Sequence, residues 1–123
     1  MHKFRQAVEA ADLDAMMALC RDDVVFRSPV VFSPYQGRDA LRHILKAVME
    51  VFEDFRYVRE IGAPDASDHA LVFQAKVGDK DIEGCDFIRT DEDGSISELT
   101  VMVRPLSATL TLAEMMKERL SAS

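Results

Sequence analysis

The chain lacks the features that mark several function classes. Its longest apolar runs, such as Val30-Val31-Phe32, fall far short of the roughly 20 residues that cross a bilayer, so no membrane partner is expected. The start, Met1-His2-Lys3-Phe4-Arg5-Gln6, has no apolar signal core; export is not expected and a cytoplasmic location is. Cysteine is scarce. Cys20 and Cys85 stand far apart, make neither a metal-ligand nor a redox spacing, and read as two buried thiols of a reducing compartment. His2, His43 and His69 do not cluster, so neither a metal nor another cofactor is expected. Positive charge is in short supply: 15 Lys and Arg stand against 22 Asp and Glu, a net charge of −7. That sign repels phosphates. The scattered arginines (Arg21, Arg27, Arg38, Arg42, Arg56, Arg59) form no basic stripe, and nucleic-acid binding is excluded on both counts. No repeat, linker or low-complexity stretch interrupts the chain, and its length suits one domain spanning 1–123.

What is present is a core. Apolar residues make up 48% of the chain, too many for disorder. Phe4, Ala7, Val8 and Ala11 recur at helical spacing, and Asp12 reads as the N-cap of a second short helix that Asp22-Asp23 close. Val24–Ser28 reads as a strand stopped by Pro29, followed by a loop over 29–37 carrying Phe32 and Tyr35. Leu41, Ile44, Leu45, Val48, Val51 and Phe52 give a third helix one broad apolar face, with Lys46 and Glu50 paired on its wet side. Four strands follow, near 55–61, 70–77, 82–89 and 95–104, joined by short turns, including the solvated acidic turn Asp91-Glu92-Asp93-Gly94. Short turns predict an antiparallel meander, and helices followed by strands predict an α+β fold. A last helix opens at the capping box Thr111-Leu112-Ala113-Glu114.

Strand alternation sorts the meander into two faces. Leu71, Phe73, Ala75 and Val77 share one face of their strand, Ile82, Gly84, Asp86 and Ile88 one face of the next, and Leu99, Val101 and Val103 one face of the last. Asp86 is the lone acid on this apolar face. Burying a carboxylate costs several kcal/mol unless it is paired or stays protonated, so Asp86 marks a candidate site with a raised pKa. Gly84 beside it removes a side chain and leaves room. The opposite face carries Cys85, Phe87 and Met102 and is only half polar, which suggests a partner, with a two-fold homodimer as the expected one.

The segments Ala10-Ala11-Asp12-Leu13-Asp14-Ala15-Met16-Met17-Ala18-Leu19, Asp22-Asp23-Val24-Val25-Phe26, Ser28-Pro29, Gly37 before the third helix, and Asp86-Phe87-Ile88-Arg89 before Gly94 occur in a telling order. In that order and spacing the chain resembles the nuclear transport factor 2-like superfamily, which includes SnoaL-like cyclases and ketosteroid isomerases. The resemblance implies a cone-shaped, curved, mixed or antiparallel sheet, N-terminal helices closing an apolar cavity, and a C-terminal helix beyond the compact members. It also implies a small hydrophobic ligand. The fold hosts unrelated chemistries, so the activity does not follow from it. Ketosteroid isomerases place an Asp base before a proline at the end of the first strand; Ser28 stands there here. They place a Tyr donor on the first helix, where this chain has Phe4, and a protonated Asp on a later strand, where it has Asp86. One of three roles is kept, and steroid isomerisation is therefore not the default expectation.

Two function classes are carried forward. In the first, a pocket binds an apolar, oxygen-bearing molecule, with or without isomerase, lyase or cyclase chemistry. Asp86 is its hydrogen-bonding and candidate catalytic acid. Its walls come from Phe26, Ser28, Phe32 and Tyr35 at the front, and from Tyr57, Leu71, Phe73, Leu99, Val101 and Val103 on the sheet. Tyr35 and Tyr57 are read as core packing with exposed hydroxyls. In the second class the cone is filled by its own side chains, Asp86 is a structural carboxylate, and the outer sheet face does the work of association.

Overall fold

In the computed structural model, which describes residues 1–121, local chemistry places the first elements. α1 (Lys3–Glu9) starts where the His2 ring accepts the Phe4 amide, and α2 (Leu13–Ala18) starts where the Asp12 carboxylate accepts the Ala15 amide. α2 ends at Leu19. Asp22 and Asp23 therefore do not close a helix; they lie in β1 (Cys20–Arg27), where Asp22 pairs with Arg38 and Asp23 with Arg21. After buried Cys20 the first half of β1 is exposed and polar, at Arg21, Asp22 and Asp23, which hides it from a hydrophobic pattern. β2 (Tyr35–Gln36) is a two-residue strand inside the loop after β1. Gly37, at φ 97°, makes the left-handed turn into α3 (Arg38–Val51), a conformation that favours glycine.

The meander is β3 (Glu53–Ile61), β4 (Asp68–Val77), β5 (Lys80–Thr90) and β6 (Ile96–Arg104). The sheet order is β2-β1-β6-β5-β4-β3. Every neighbouring pair is antiparallel except β1 with β6, which run parallel. The expected α+β class and the mixed sheet are both observed. α4 (Leu106–Ser121) begins five residues before the expected Thr111, which lies inside it and donates its hydroxyl to the Ser107 carbonyl. The Thr-x-x-Glu signature is thus a coincidence within a helix that starts directly after Pro105. Glu50 pairs not with Lys46 but with Arg119 of α4, at 2.7 Å, and so ties α4 to α3.

Register decides which side chains meet on the concave face. One row across the strands reads Leu71, Asp86, Val101; the next reads Tyr57, Phe73, Gly84, Val103. The alternation is clean on β4, where Leu71, Phe73, Ala75 and Val77 are all buried. Phe4, Met16, Leu41 and Ile44 from the helices pack over that face. A second cluster, formed by Val51, Ala75, Val77, Ile82, Ala108 and Leu112, seats α4 at the other end. On the convex face Val58, Phe87 and Met102 are exposed, and Cys85 is half-buried, so only Cys20 is a buried thiol. No described helix is long and apolar enough to cross a membrane.

Gly84 does not leave an empty space beside Asp86. The ring of its cross-strand neighbour Phe73 lies over it, and a Cβ at Gly84 would fall well inside van der Waals contact of three ring atoms. Phe73 is held there by Phe52, Phe55 and Tyr57, with the Phe55 ring stacked on it at 4.9 Å. Overpacking at such a point costs about 1–3 kcal/mol. Gly84→Ala is accordingly expected to lower stability to urea by that amount, and Phe73→Leu in the same chain to recover part of the loss. An unchanged midpoint in Gly84→Ala would contradict this packing.

Candidate functional site

The concave face is incompletely tiled, and the exposure pattern shows it. Val101 and Val103 point inward beside buried Leu99, yet each keeps solvent access. That access is to a cavity of about 550 Å3 between the sheet and the helices. Burial of its lining residues gives it a direction. Phe4, Met16, Phe26, Tyr57, Phe73, Asp86 and Leu99 form the closed end, whereas Ala11, Val30, Val31, Met49 and Lys117 are exposed at the entrance. A volume of this size suits a drug-sized molecule.

Among the described residues Asp86 is the only acid in the lining. β5 places it inward by simple alternation, between Leu71 and Val101. Tyr57 reaches it diagonally from β3, one row away and two strands over, and its hydroxyl donates to Asp86 Oδ2 at 2.7 Å. Burial pushes the Asp86 carboxyl up from its ordinary value of 3.8 to about 7, and the Tyr57 hydrogen bond pulls it partly back by favouring the anion. Burial first, and then the neighbouring Asp86 charge, push the Tyr57 phenol well above its ordinary range, so it stays a donor. On the outer side of that ring the Arg5 guanidinium sits 5.8 Å from the centroid and pairs with Glu9 and Glu60. Among the described residues the Tyr57 bond is the one side-chain hydrogen bond made to the Asp86 carboxyl.

Ser28, just past the end of β1, also faces the cavity. Its Oγ accepts the amides of Val30 and Val31, at 3.0 and 2.9 Å, which fixes the turn and leaves the hydroxyl proton uncommitted by those bonds. Phe26 and Tyr35 come together from β1 and β2, with ring centroids 6.3 Å apart.

Of the sequence-nominated residues, Asp86, Phe26, Ser28, Tyr35, Tyr57, Phe73, Leu99, Val101 and Val103 all border this one cavity. Two do not. Phe32 is fully exposed at the tip of the 29–34 loop, because its neighbours Val30 and Val31 take the inward positions. Leu71 is fully buried under the helices, sealed in the solid core beside Asp86, and reaches no open space. The Tyr57 hydroxyl is a further correction: it is buried and bonded, not exposed. Sequence reasoning also missed the helical wall, including Ile44, Leu45, Val48, Phe52, Leu112, Met116 and Lys117. The α3 stripe was visible as an apolar face, but a stripe does not say whether it meets atoms or space. Among the described residues no group of three His, Cys, Asp or Glu could hold a metal ion.

Comparison with known proteins fits this geometry. The profile of the SnoaL-like domain matches residues 1–99. The chain belongs to the SnoaL-like domain family. A steroid delta-isomerase from Pseudomonas aeruginosa is similar at 39% identity and a TM-score of 0.91, over 97% of this chain and 87% of that one. An uncharacterised bacterial protein with a cystatin-like fold from Silicibacter pomeroyi is 35% identical, with a TM-score of 0.89 over 95% of this chain and 82% of its own. A nuclear transport factor 2-like protein of unknown function from Burkholderia xenovorans shares the fold alone, at 17% identity and a TM-score of 0.67, over 88% of this chain and 86% of its own. Among curated proteins none matches. The expected superfamily and cone fold are thereby established.

The sign of a pH effect follows from the Asp86 shift. Between about pH 4 and about pH 7 the folded protein keeps a proton that the unfolded chain has released, so stability falls as pH rises through that window. Asp86→Asn should therefore gain stability over the parent across it, with a slope approaching about 1.4 kcal/mol per pH unit, and gain nothing below it. Tyr57→Phe should move the upper end of the window higher, since it removes the bond that favours the anion. Urea unfolding at a series of pH values reads both, and parallel profiles for parent and Asp86→Asn would contradict the assignment.

Proposed function

We propose that the protein binds a small, mainly apolar ketone in this cavity and supports isomerase-type proton transfer there, with Asp86 beside Tyr57 as the group that moves the proton. One observation carries this reading: a lone carboxyl, bonded by a single phenol, at the bottom of an otherwise apolar cavity, where burial pushes its pKa up to about 7. A group with a pKa near the working pH is suited both to taking a proton and to returning it. The 39% identity to a protein described as a steroid delta-isomerase supports the same class of reaction.

The residue pattern nonetheless departs from that of ketosteroid isomerases. With Ser28 where they hold the base, Asp86 must be the base itself. Its carboxylate takes a proton from the carbon between a ketone and an alkene, and the electron pair passes to the ketone oxygen as an enolate. The acid then returns the same proton two carbons further on. The Ser28 hydroxyl, already accepting two amides, is the available donor to the enolate oxygen. The association reading draws on exposed Val58, Phe87 and Met102. It gives no reason for an acid at the foot of a cavity, while two copies paired through that face would still each carry the pocket.

The test uses 5-androstene-3,17-dione, followed by the absorbance of the conjugated enone it forms. Turnover is expected to rise with pH and level off above about 7, and Asp86→Asn to lower it by roughly a hundredfold or more. Binding of this ketone without turnover would reduce the reading to a binder. No binding and no turnover would overturn it for steroid-sized ketones.

A further inference from the structure

The entrance of the cavity carries a charge that the closed end does not need. On α4 the cavity-facing positions are Leu112, Ala113, Met116, Lys117 and Leu120, the i, i+3, i+4 stripe of one helical face. They grade from buried Leu112 outward to exposed Lys117. Four of the five are apolar, as a wall for an apolar ligand requires. Lys117 breaks the stripe, and it is the only cation among the described lining residues. The other charges of that helical segment are used or turned elsewhere: Arg119 pairs with Glu50 of α3, and Glu114 and Glu118 do not line the cavity. Among the described residues Lys117 makes no ion pair, although most of the chain's arginines do. A lysine lays its alkyl stem along apolar surface and holds its ammonium at the water boundary, so it fits this rim without closing it.

We propose that the ligand is an amphiphile with two polar ends: a carbonyl at the Asp86 end of the cavity, and an acidic group (a carboxylate, sulfonate or phosphate) at the mouth, paired with Lys117. This deepens the pocket reading and rests on it. The ammonium then sets the direction of entry. An acidic end that entered first would leave water for an apolar cavity whose floor is itself an acid, whereas at the rim it meets the one cation among the described lining residues. The overall charge of −7 makes that local cation the more selective, because the rest of the surface disfavours an anion.

The test compares two dyes with the same ring skeleton: neutral N-phenyl-1-naphthylamine and its anionic sulfonate, 8-anilinonaphthalene-1-sulfonate. Both are titrated by fluorescence, and each is used to displace the other so that a shared site is established. The sulfonate is expected to bind more tightly than the neutral dye at low salt. Lys117→Gln should weaken the sulfonate by about two- to fivefold, the range for a partly exposed ion pair, and leave the neutral dye unchanged. Lys117→Glu should weaken it further, and Lys117→Arg should restore it. Added salt should erode only the sulfonate's advantage. If both dyes bind and displace one another but Lys117→Gln affects neither, or affects both equally, the anion-pairing inference is overturned and the pocket reading stands. If neither dye binds, the pocket reading fails and this inference falls with it.

Discussion

The hydrogen bond from Tyr57 to Asp86 is the interaction on which the account of this molecule turns. A carboxyl enclosed by Phe4, Phe26, Phe73 and Leu99 loses its hydration, and the loss raises its pKa to about 7. One phenol offsets part of that cost. A second donor, or an arginine in contact, would have favoured the ionised form further. With the phenol alone, the group is poised between its two forms. The fold gives up stability to keep it so, which is the exchange expected at a working site and not at a core position chosen for packing.

The rest of the architecture keeps that poise intact. Sheet register brings Tyr57 and Asp86 to adjacent rows, so the bond needs no loop to form it. Phe73, clasped by Phe52, Phe55 and Tyr57 and seated over Gly84, packs the row beside the acid with aromatic rings. The helices close the cone from the other side but stop short of filling it, and the half-exposed Val101 and Val103 record the gap. α4, anchored by Ala108 and Leu112 and by the Arg119–Glu50 pair, extends one wall out to the entrance.

Much of this was legible in the sequence, and for identifiable reasons. Period-two alternation on β4 and β5 reports the buried face directly, so the inward position of Asp86 followed from Leu71, Phe73 and Ile88. Asp12 is a cap because its side chain acts within three residues. What failed to read are relations between distant residues or between equal alternatives. Nothing local distinguishes an inward Phe32 from the inward Val30 and Val31 that displaced it. Nothing local says that Leu71 meets helices while Val101, in the same row, meets space. The reading of Gly84 as open room beside Asp86 failed because the space is taken by the cross-strand ring of Phe73, which alternation along β5 does not report. The bond from Tyr57 depends on pairing across two strands, which alternation alone cannot supply. Thr111 satisfied a capping rule inside a helix whose start was set by Pro105, and the exposed first half of β1 carried no apolar period to read.

The measurement that bears most directly on the central claim is a titration of the Asp86 side-chain carboxyl carbon by 13C NMR, assigned by its loss in Asp86→Asn. A single titration step near pH 7 is expected, well above that of an ordinary aspartate. A midpoint at or below 4 would mean that Asp86 is a permanently ionised structural carboxylate, and the reading of the cavity as a proton-transferring site would have to be abandoned.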